Sequence, residues 1–271
     1  MGSFSRKVAL ITGASSGIGA ETAVQLASLS CQLSLTGRSA EKLQKVKQQC
    51  VERGLAEDLV LLLPGDLTED SFLEKIVEKS LEHFGSLDIL INCAGQPHLG
   101  TLETSTMDKF DEIFSVNLRA PFILTHLALP HLIRSKGVVV NVSSCVSITA
   151  HPSSLVYSMS KAGMDGLTYT TSEEYAEQGV RVNSVNPGAT MTALFDRNGA
   201  EIDKVIELSK KRHPLGRPGK ASEVAKAIVF LASDSAAMVS GCCLGVDGGR
   251  SVRPGAPLVP TENDPGVKFP V

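Results

Sequence analysis

Four residues of this chain have the types and spacing for proton exchange at a carbonyl or alcohol oxygen. Tyr157 and Lys161 are four apart in Tyr157-Ser158-Met159-Ser160-Lys161, so a helix sets both on one face. A free tyrosine ionises at a pKa of about 10, too high for a base at neutral pH, and a neighbouring ammonium favours the phenolate. Alone, such a pair is more often a surface aromatic beside a solvated lysine. Ser144 changes that reading. It ends an apolar, strand-like run thirteen residues before Tyr157, where its hydroxyl can hydrogen-bond and orient a substrate oxygen while Tyr157 gives or takes the proton. Asn117, in Phe114-Ser115-Val116-Asn117-Leu118, falls mid-helix, where an amide competes for backbone groups. A helix-to-strand hydrogen bond is its plainer explanation.

Alcohol and carbonyl interconvert only if a hydride moves as well. Thr12-Gly13-Ala14-Ser15-Ser16-Gly17-Ile18-Gly19 closes the first strand and opens the first helix. In such a loop one glycine permits the tight turn, one admits a pyrophosphate to the backbone, and one lets helix and strand pack closely. The helix amino terminus offers free N–H groups and a positive dipole end, so Gly13, Ser15, Ser16, Gly17, Ile18 and Gly19 form the candidate phosphate cradle. The second strand ends in Thr36-Gly37-Arg38-Ser39, with no carboxylate to accept a ribose diol. Arg38 offers a fork of donors suited to a 2′-phosphate, and Ser39 adds a hydroxyl. This favours NADP(H) over NAD(H); a solvated arginine at a helix start is the other explanation.

These residues need a sheet edge to converge. Lys7–Thr12, Gln32–Thr36, Leu59–Pro64, Leu87–Asn92, Gly137–Ser143, Val180–Val185 and, more weakly, Leu244–Asp247 read as strands. Their near-continuous aliphatic runs suit a parallel sheet covered on both faces. Helical patterns lie between them at Gly17–Leu29, Ala40–Gly54, Glu69–Phe84, Met107–Arg134, Tyr157–Gln178 and Ala221–Ser233, with Thr68-Glu69-Asp70 as a start signal. The alternation indicates right-handed crossovers and a doubly wound α/β fold, whose ligands bind at the carboxyl edge of the strands.

The Gly-x-x-x-Gly-x-Gly spacing resembles that of the short-chain dehydrogenase/reductase family, in its subclass of compact single-domain subunits, and the resemblance runs from Lys7 to about Ser251. It implies a Rossmann-like, seven-stranded parallel sheet in the order 3-2-1-4-5-6-7 with helices on both faces. It also implies a catalytic tetrad of Asn117, Ser144, Tyr157 and Lys161. Lys161 would hold ribose hydroxyls and Asn117 a water that relays protons to the lysine. Asp66 and Leu67 would contact the adenine, although Asp66 equally suits a cap for the helix near Thr68. Asn92-Cys93-Ala94-Gly95 resembles the family's Asn-Asn-Ala-Gly turn. Pro187-Gly188, with Thr190 through its backbone and Thr192 through its hydroxyl, would hold the nicotinamide carboxamide. Arg38 matches the family's basic residue for NADP(H). The chain departs from the pattern at Ser16, where a second basic residue can stand, at Cys93 for the second Asn, and at Ser147 for a common glycine. Ser143 should face the other side of its strand from Ser144.

Cys145, His151 and His98 are candidates for the substrate pocket, with residues 191–218 as a substrate loop containing a short helix near 201–210. Residues 1–250 are expected to form one domain, followed by a proline-rich arm at 251–271. The net charge of −3, with both signs mixed along the chain, offers no surface for nucleic acid. The partner is therefore expected to be a small carbonyl or alcohol, and the apolar runs are judged too short to span a bilayer. Six cysteines without metal-ligand spacing suggest reduced thiols, no metal and a cytoplasmic location. The resemblance implies a homotetramer or homodimer built on the helices beginning near Met107 and Tyr157. Rival functions are an NAD-preferring alcohol or steroid dehydrogenase, a sugar-nucleotide epimerase or dehydratase, and a regulator that binds dinucleotide without turnover. The short carboxyl-terminal part and the glycine spacing argue against the epimerase; the intact tetrad argues against the regulator.

Overall fold

The computed structural model describes residues 4–192 and 202–252. Seven parallel strands form the central sheet: β1 (Val8–Ile11), β2 (Gln32–Gly37), β3 (Val60–Pro64), β4 (Ile89–Asn92), β5 (Val138–Val142), β6 (Arg181–Pro187) and β9 (Cys243–Val246). Their order is β3-β2-β1-β4-β5-β6-β9, so, counted within the sheet alone, 3-2-1-4-5-6-7. Thr190–Met191 (β7) and Gly219–Lys220 (β8) form a separate two-residue parallel pair.

Alternate residues of each strand enter two core layers. Ala9 and Ile11 of β1 pack with Ile89 and Ile91 under α1 (Gly17–Ala27), α2 (Ala40–Glu52) and α8 (Ala221–Ala232). Val8 and Leu10 face the opposite layer, with Leu73 and Ile76 of α3 (Asp70–Phe84) and Leu124, Ala128 and Leu132 of α5 (Ala120–Ser135). Truncating a fully buried side chain such as Leu10 or Ile91 to alanine costs about 2–5 kcal/mol.

The ends of several elements differ from the sequence expectation by one to four residues, as fraying ends do. One difference is larger. The expected single helix Met107–Arg134 is α4 (Met107–Phe114), a π-turn (Ser115–Arg119) and α5. The wide turn holds Asn117, whose side chain is tied to another segment, and such turns often mark functional positions. Met107–Ser135 taken as one helix is long and apolar enough to cross a membrane by length and composition, so the expectation that no stretch reaches that limit does not hold. Here its inner face packs onto the sheet.

The start signal at Thr68 is also used differently. Asp66 Oδ1 accepts from the Thr68 amide and hydroxyl, both at 2.9 Å, and α3 begins at Asp70, which pairs with Arg119. Helix α6 spans Leu155–Glu174, two residues ahead of the expected start, and α7 spans Ile202–Arg212. Of the anticipated substrate loop, residues 193–201 lie outside the described residues, as does the proline-rich arm beyond Val252.

Candidate active site

A cavity of about 1010 Å³ opens along the carboxyl edge of the strands. Its two ends are built from different material.

At one end the wall is largely backbone. Gly13 and Gly17 adopt left-handed φ of +66° and +58°, and a Cβ on Gly13 would sit 2.8 Å from Ala94 Cα. A Cβ on Gly19 would meet the Gly13 carbonyl at 2.5 Å, which is the close helix–strand packing the loop requires. Ser16 is the N-cap of α1, yet its side chain makes no capping bond, so amides of the first turn stay available to a ligand. A cradle of this shape, with an uncapped helix terminus, fits a dinucleotide pyrophosphate. Ser15, Ile18, Arg38, Ser39 and Lys42 continue along the same wall. Arg38 is exposed. The Ser39 hydroxyl caps α2 by accepting from the Lys42 amide at 3.3 Å, a use the sequence reading did not foresee. Leu67 lines the cavity beside Asp66, whose carboxyl is held below its usual range by the Thr68 bonds and, more weakly, by Arg38.

Asn92 is not on the cavity wall. Its buried amide donates to Asn141 Oδ1 at 2.9 Å and Thr125 Oγ1 at 3.3 Å, within the sheet and α5. The turn after β4 is held instead by Thr12, whose hydroxyl accepts from the amides of Cys93 and Ala94, both at 3.0 Å. Cys93 therefore needs no side-chain amide to keep the turn. Burial pushes its thiol up to about 12, with Lys161 pulling the other way. Gly95 leaves room beside the reacting groups: a Cβ there would stand 3.4 Å from Lys161 Nζ and 3.5 Å from Asn117 Oδ1.

Ser144, Tyr157 and Lys161 of the expected tetrad line the cavity, and Asn117 lies behind its wall beside Gly95. Ser144 stands two residues past β5 and Tyr157 on α6, and the Ser144 hydroxyl accepts from the Val146 amide at 3.3 Å. Lys161, one turn further, is 3% exposed. Its Nζ donates to the Val142 carbonyl at 2.8 Å and lies 5.8 Å from the Tyr157 ring centre. Burial draws its pKa down to about 8, opposed by Cys93 and Asp165. Burial also pushes the Tyr157 phenol up to about 12, while Ser144 acts in the opposite sense. Asn117, fully buried, clasps Gln96 with two bonds: Oδ1 accepts from its amide at 2.7 Å, and Nδ2 donates to its carbonyl at 2.9 Å. Nδ2 also reaches Ser160 Oγ at 3.1 Å. Ser143 also borders the cavity, and its hydroxyl donates to the Lys161 carbonyl at 3.0 Å.

Behind Ser144 lies a buried network that sequence reasoning missed. Asn186 Nδ2 donates to Asp165 Oδ2 at 2.9 Å and to Ser147 Oγ at 3.0 Å, and the Ser147 hydroxyl donates to the Ser144 carbonyl at 2.7 Å. Ser147 thus joins the Ser144 loop to β6 and, through Asn186 and Asp165, to α6. An Asp four residues after the lysine was the available signal.

At the far end the wall is side chains on loops. Cys145 is buried and its thiol pushed up by that burial. His98 Nε2 meets Ser105 Oγ at 3.3 Å, and His151 Nδ1 meets the Pro152 carbonyl at 3.0 Å. Arg212 and His213, within the expected substrate loop but not singled out in it, line this end with Arg250. His213 is 2% exposed. Its Nδ1 donates to the Ser209 carbonyl at 3.0 Å and its Nε2 accepts from the Ala189 amide at 3.2 Å, so one tautomer satisfies both. It thereby fixes the Pro187–Gly188 turn against α7. Thr190 spends its hydroxyl on the Gly188 carbonyl at 3.1 Å, leaving only its backbone for a ligand, while Thr192 faces Gly17 across the cradle.

Residues 13–251 match the family described as enoyl-(acyl carrier protein) reductase. The chain is 37% identical to a 3-oxoacyl-[acyl-carrier-protein] reductase, FabG, of Thermotoga maritima, over 90% of this chain and 97% of that protein. It is 33% identical to the levodione reductase of Leifsonia aquatica, over 92% and 95% of the two chains. A Caenorhabditis elegans short-chain dehydrogenase/reductase of unknown function, solved with cofactor, superposes with a TM-score of 0.86 at 32% identity, covering 92% of this chain and 96% of that one.

Proposed function

The chain belongs to the short-chain dehydrogenase/reductase family of oxidoreductases acting on CH–OH and C=O groups, and from that premise we propose that it reduces a ketone or aldehyde reversibly with NADP(H), Tyr157 exchanging the proton. The observation that carries the reading is that Ser144, Tyr157 and the buried Lys161, one helical turn on, line the same cavity as the glycine cradle.

The residues divide the work as follows. The glycine loop and the amino terminus of α1 hold the pyrophosphate, Pro187–Gly188 and Thr192 the nicotinamide end. When bound, the nicotinamide supplies the hydride in reduction and takes it up in oxidation. Ser144 hydrogen-bonds the substrate oxygen. Tyr157, neutral at pH 7, donates its proton to that oxygen as it gains electrons. Lys161 stabilises the phenolate left behind and returns a proton through the Asn117 region. Preference for NADP(H) rests on Arg38, on the lack of a carboxylate at the tip of β2, and on Lys42 along the same wall. The exposed Met107, Phe122, Leu155 and Met159 support association of subunits through α4, α5 and α6; analytical ultracentrifugation separates dimer from tetramer. A cytoplasmic setting and a single domain over residues 1–250 belong to the same proposal.

Steady-state kinetics with a panel of ketones, quinones, steroids and retinoids test the reading. Carbonyl turnover unchanged by Tyr157→Phe removes the proton assignment. Equal efficiency with NADH and NADPH removes the Arg38 argument and favours an NAD-preferring alcohol or steroid dehydrogenase.

A further inference from the structure

The backbone carbonyl of Ser144 is fastened from more than one side. It accepts from the Ser147 amide at 3.0 Å, from the Ser147 hydroxyl at 2.7 Å and from Asn186 Nδ2 at 3.3 Å. One residue upstream, the Ser143 amide donates to the Val185 carbonyl at 2.9 Å. Ser147 and Asn186 supply the side-chain bonds, and neither lines the cavity. Asn186 is 2% exposed and directly precedes the Pro187–Gly188 turn.

The direction of every bond in this network is set from its far end. Asp165, buried on α6 one turn beyond Lys161, offers carboxylate oxygens that accept. The Ser144 carbonyl also only accepts. The Asn186 amide lies between them, so its NH2 side must face both, at 2.9 Å and 3.3 Å. Its Oδ1 is left for the Ser184 hydroxyl, which donates at 2.8 Å and lies 3.3 Å from Asp165 Oδ1. Asn186 Nδ2 also donates to Ser147 Oγ at 3.0 Å, which commits the Ser147 proton to the Ser144 carbonyl. A buried amide with both ends engaged cannot rotate without leaving polar atoms unpaired, so the network is stiff.

We propose that Ser147 and Asn186 are positioning residues that clamp Ser144 to the Pro187–Gly188 turn. The hydroxyl that orients the carbonyl and the turn that holds the nicotinamide then keep one separation. This rests on the hydride-transfer reading of the site. Transfer between two bound partners needs their reacting atoms close and aligned, and small displacements made at a distance cost rate. The clamp touches neither ligand, so its loss shows in the rate of the chemical step and not in binding.

The test is Ser147→Ala, which removes one oxygen from a half-buried residue in the short 3-10 turn Cys145–Ser147. Stopped-flow single turnovers use NADPH and the best substrate from the panel of ketones, quinones, steroids and retinoids. The rate of NADPH oxidation should fall about fivefold, the worth of one hydrogen bond. The Kd for NADPH and the KM for the substrate should stay within about twofold. Ser147→Thr, which keeps the hydroxyl, should return the rate toward wild type. Hydrogen exchange of the cofactor-free enzyme gives a readout that needs no turnover. Amides in 143–148 and in 186–190 should exchange faster together in Ser147→Ala, with those of β1 to β4 unchanged. An unchanged single-turnover rate overturns the proposal, and so does faster exchange confined to 143–148, which would leave the two ends unlinked. A smaller amplitude at an unchanged rate would mean fewer folded molecules, a merely structural role, and overturns it as well. Joint loosening of the two segments in an enzyme that turns over no carbonyl compound would uphold the clamp and fail the hydride-transfer reading instead.

Discussion

The two ends of the cavity differ in what does the binding. At the cradle the contacts are backbone, supplied by a few residues adjacent in the chain, with glycines wherever a Cβ would collide. At the substrate end the contacts are side chains from segments far apart, among them His98, Ser144–His151, Arg212–His213 and Arg250. A backbone site is damaged by adding atoms and a side-chain site by removing them. The first binds a constant ligand with constant geometry; the second varies without disturbing the sheet.

Tyr157 stands where the ends meet, and removing its hydroxyl should have the largest effect. Tyr157→Phe should lower kcat for carbonyl reduction by about 10²–10⁴-fold, with the Kd for NADPH nearly unchanged in fluorescence titration. A parallel loss of cofactor binding would mean that the phenol belongs to the cradle. The same centre sets a pH dependence. Lys161, drawn down to about 8, loses its charge as pH rises through that value, so reduction should fall on the alkaline side.

Next is an exposed side chain at the cofactor end, Arg38. Arg38→Asp should lower kcat/KM for NADPH by roughly 10- to 100-fold and leave NADH little affected. Uniform loss with both cofactors would show a structural fault in place of phosphate recognition.

The backbone character of the cradle is sharpened by Gly19→Ala. The added Cβ meets the Gly13 carbonyl at 2.5 Å, so denaturation should show a loss of about 1–3 kcal/mol and KM for the cofactor should rise. A harmless substitution would break the contrast between the two ends.

The smallest effect is expected where the ends are joined. His213 accepts a hydrogen bond only when neutral at Nε2, and burial lowers its pKa from the ordinary 6.5. The unfolded chain takes up that proton near pH 6.5 while the folded one resists it. Stability should therefore decline as pH falls below about 6.5, and stop declining on this account once folded His213 is itself protonated. His213→Gln should cost about 1–2 kcal/mol at pH 8 and flatten the acid side of the Tm profile. His131 and His151 shift in the same direction, so some slope should survive the substitution.

The same division explains what was legible before the fold was known. The strands, the glycine loop and the Tyr157–Lys161 face follow from local pattern, the strand order came only with the family resemblance, and the comparisons with known proteins bear out the family and the fold. Less local features escaped. The π-turn at Asn117 depends on a clasp with Gln96, twenty-one residues away. Asn92 looked like part of a cofactor turn, but its side chain completes a buried ladder with Asn141 and Thr125. Arg250 looked like no more than the last residue before an irregular arm.

By itself the sequence determined the architecture and the kind of chemistry, because aliphatic runs, glycines and a four-residue helical spacing act within a few residues of one another. Only the tertiary structure decided which charges share the substrate end. Arg212 and Arg250 line the same cavity because β9 ends at the same sheet edge as β5 and β6, with the Gly248–Gly249 turn pinned by Asp247. A contact made by three segments more than thirty residues apart leaves no periodic trace in any one of them.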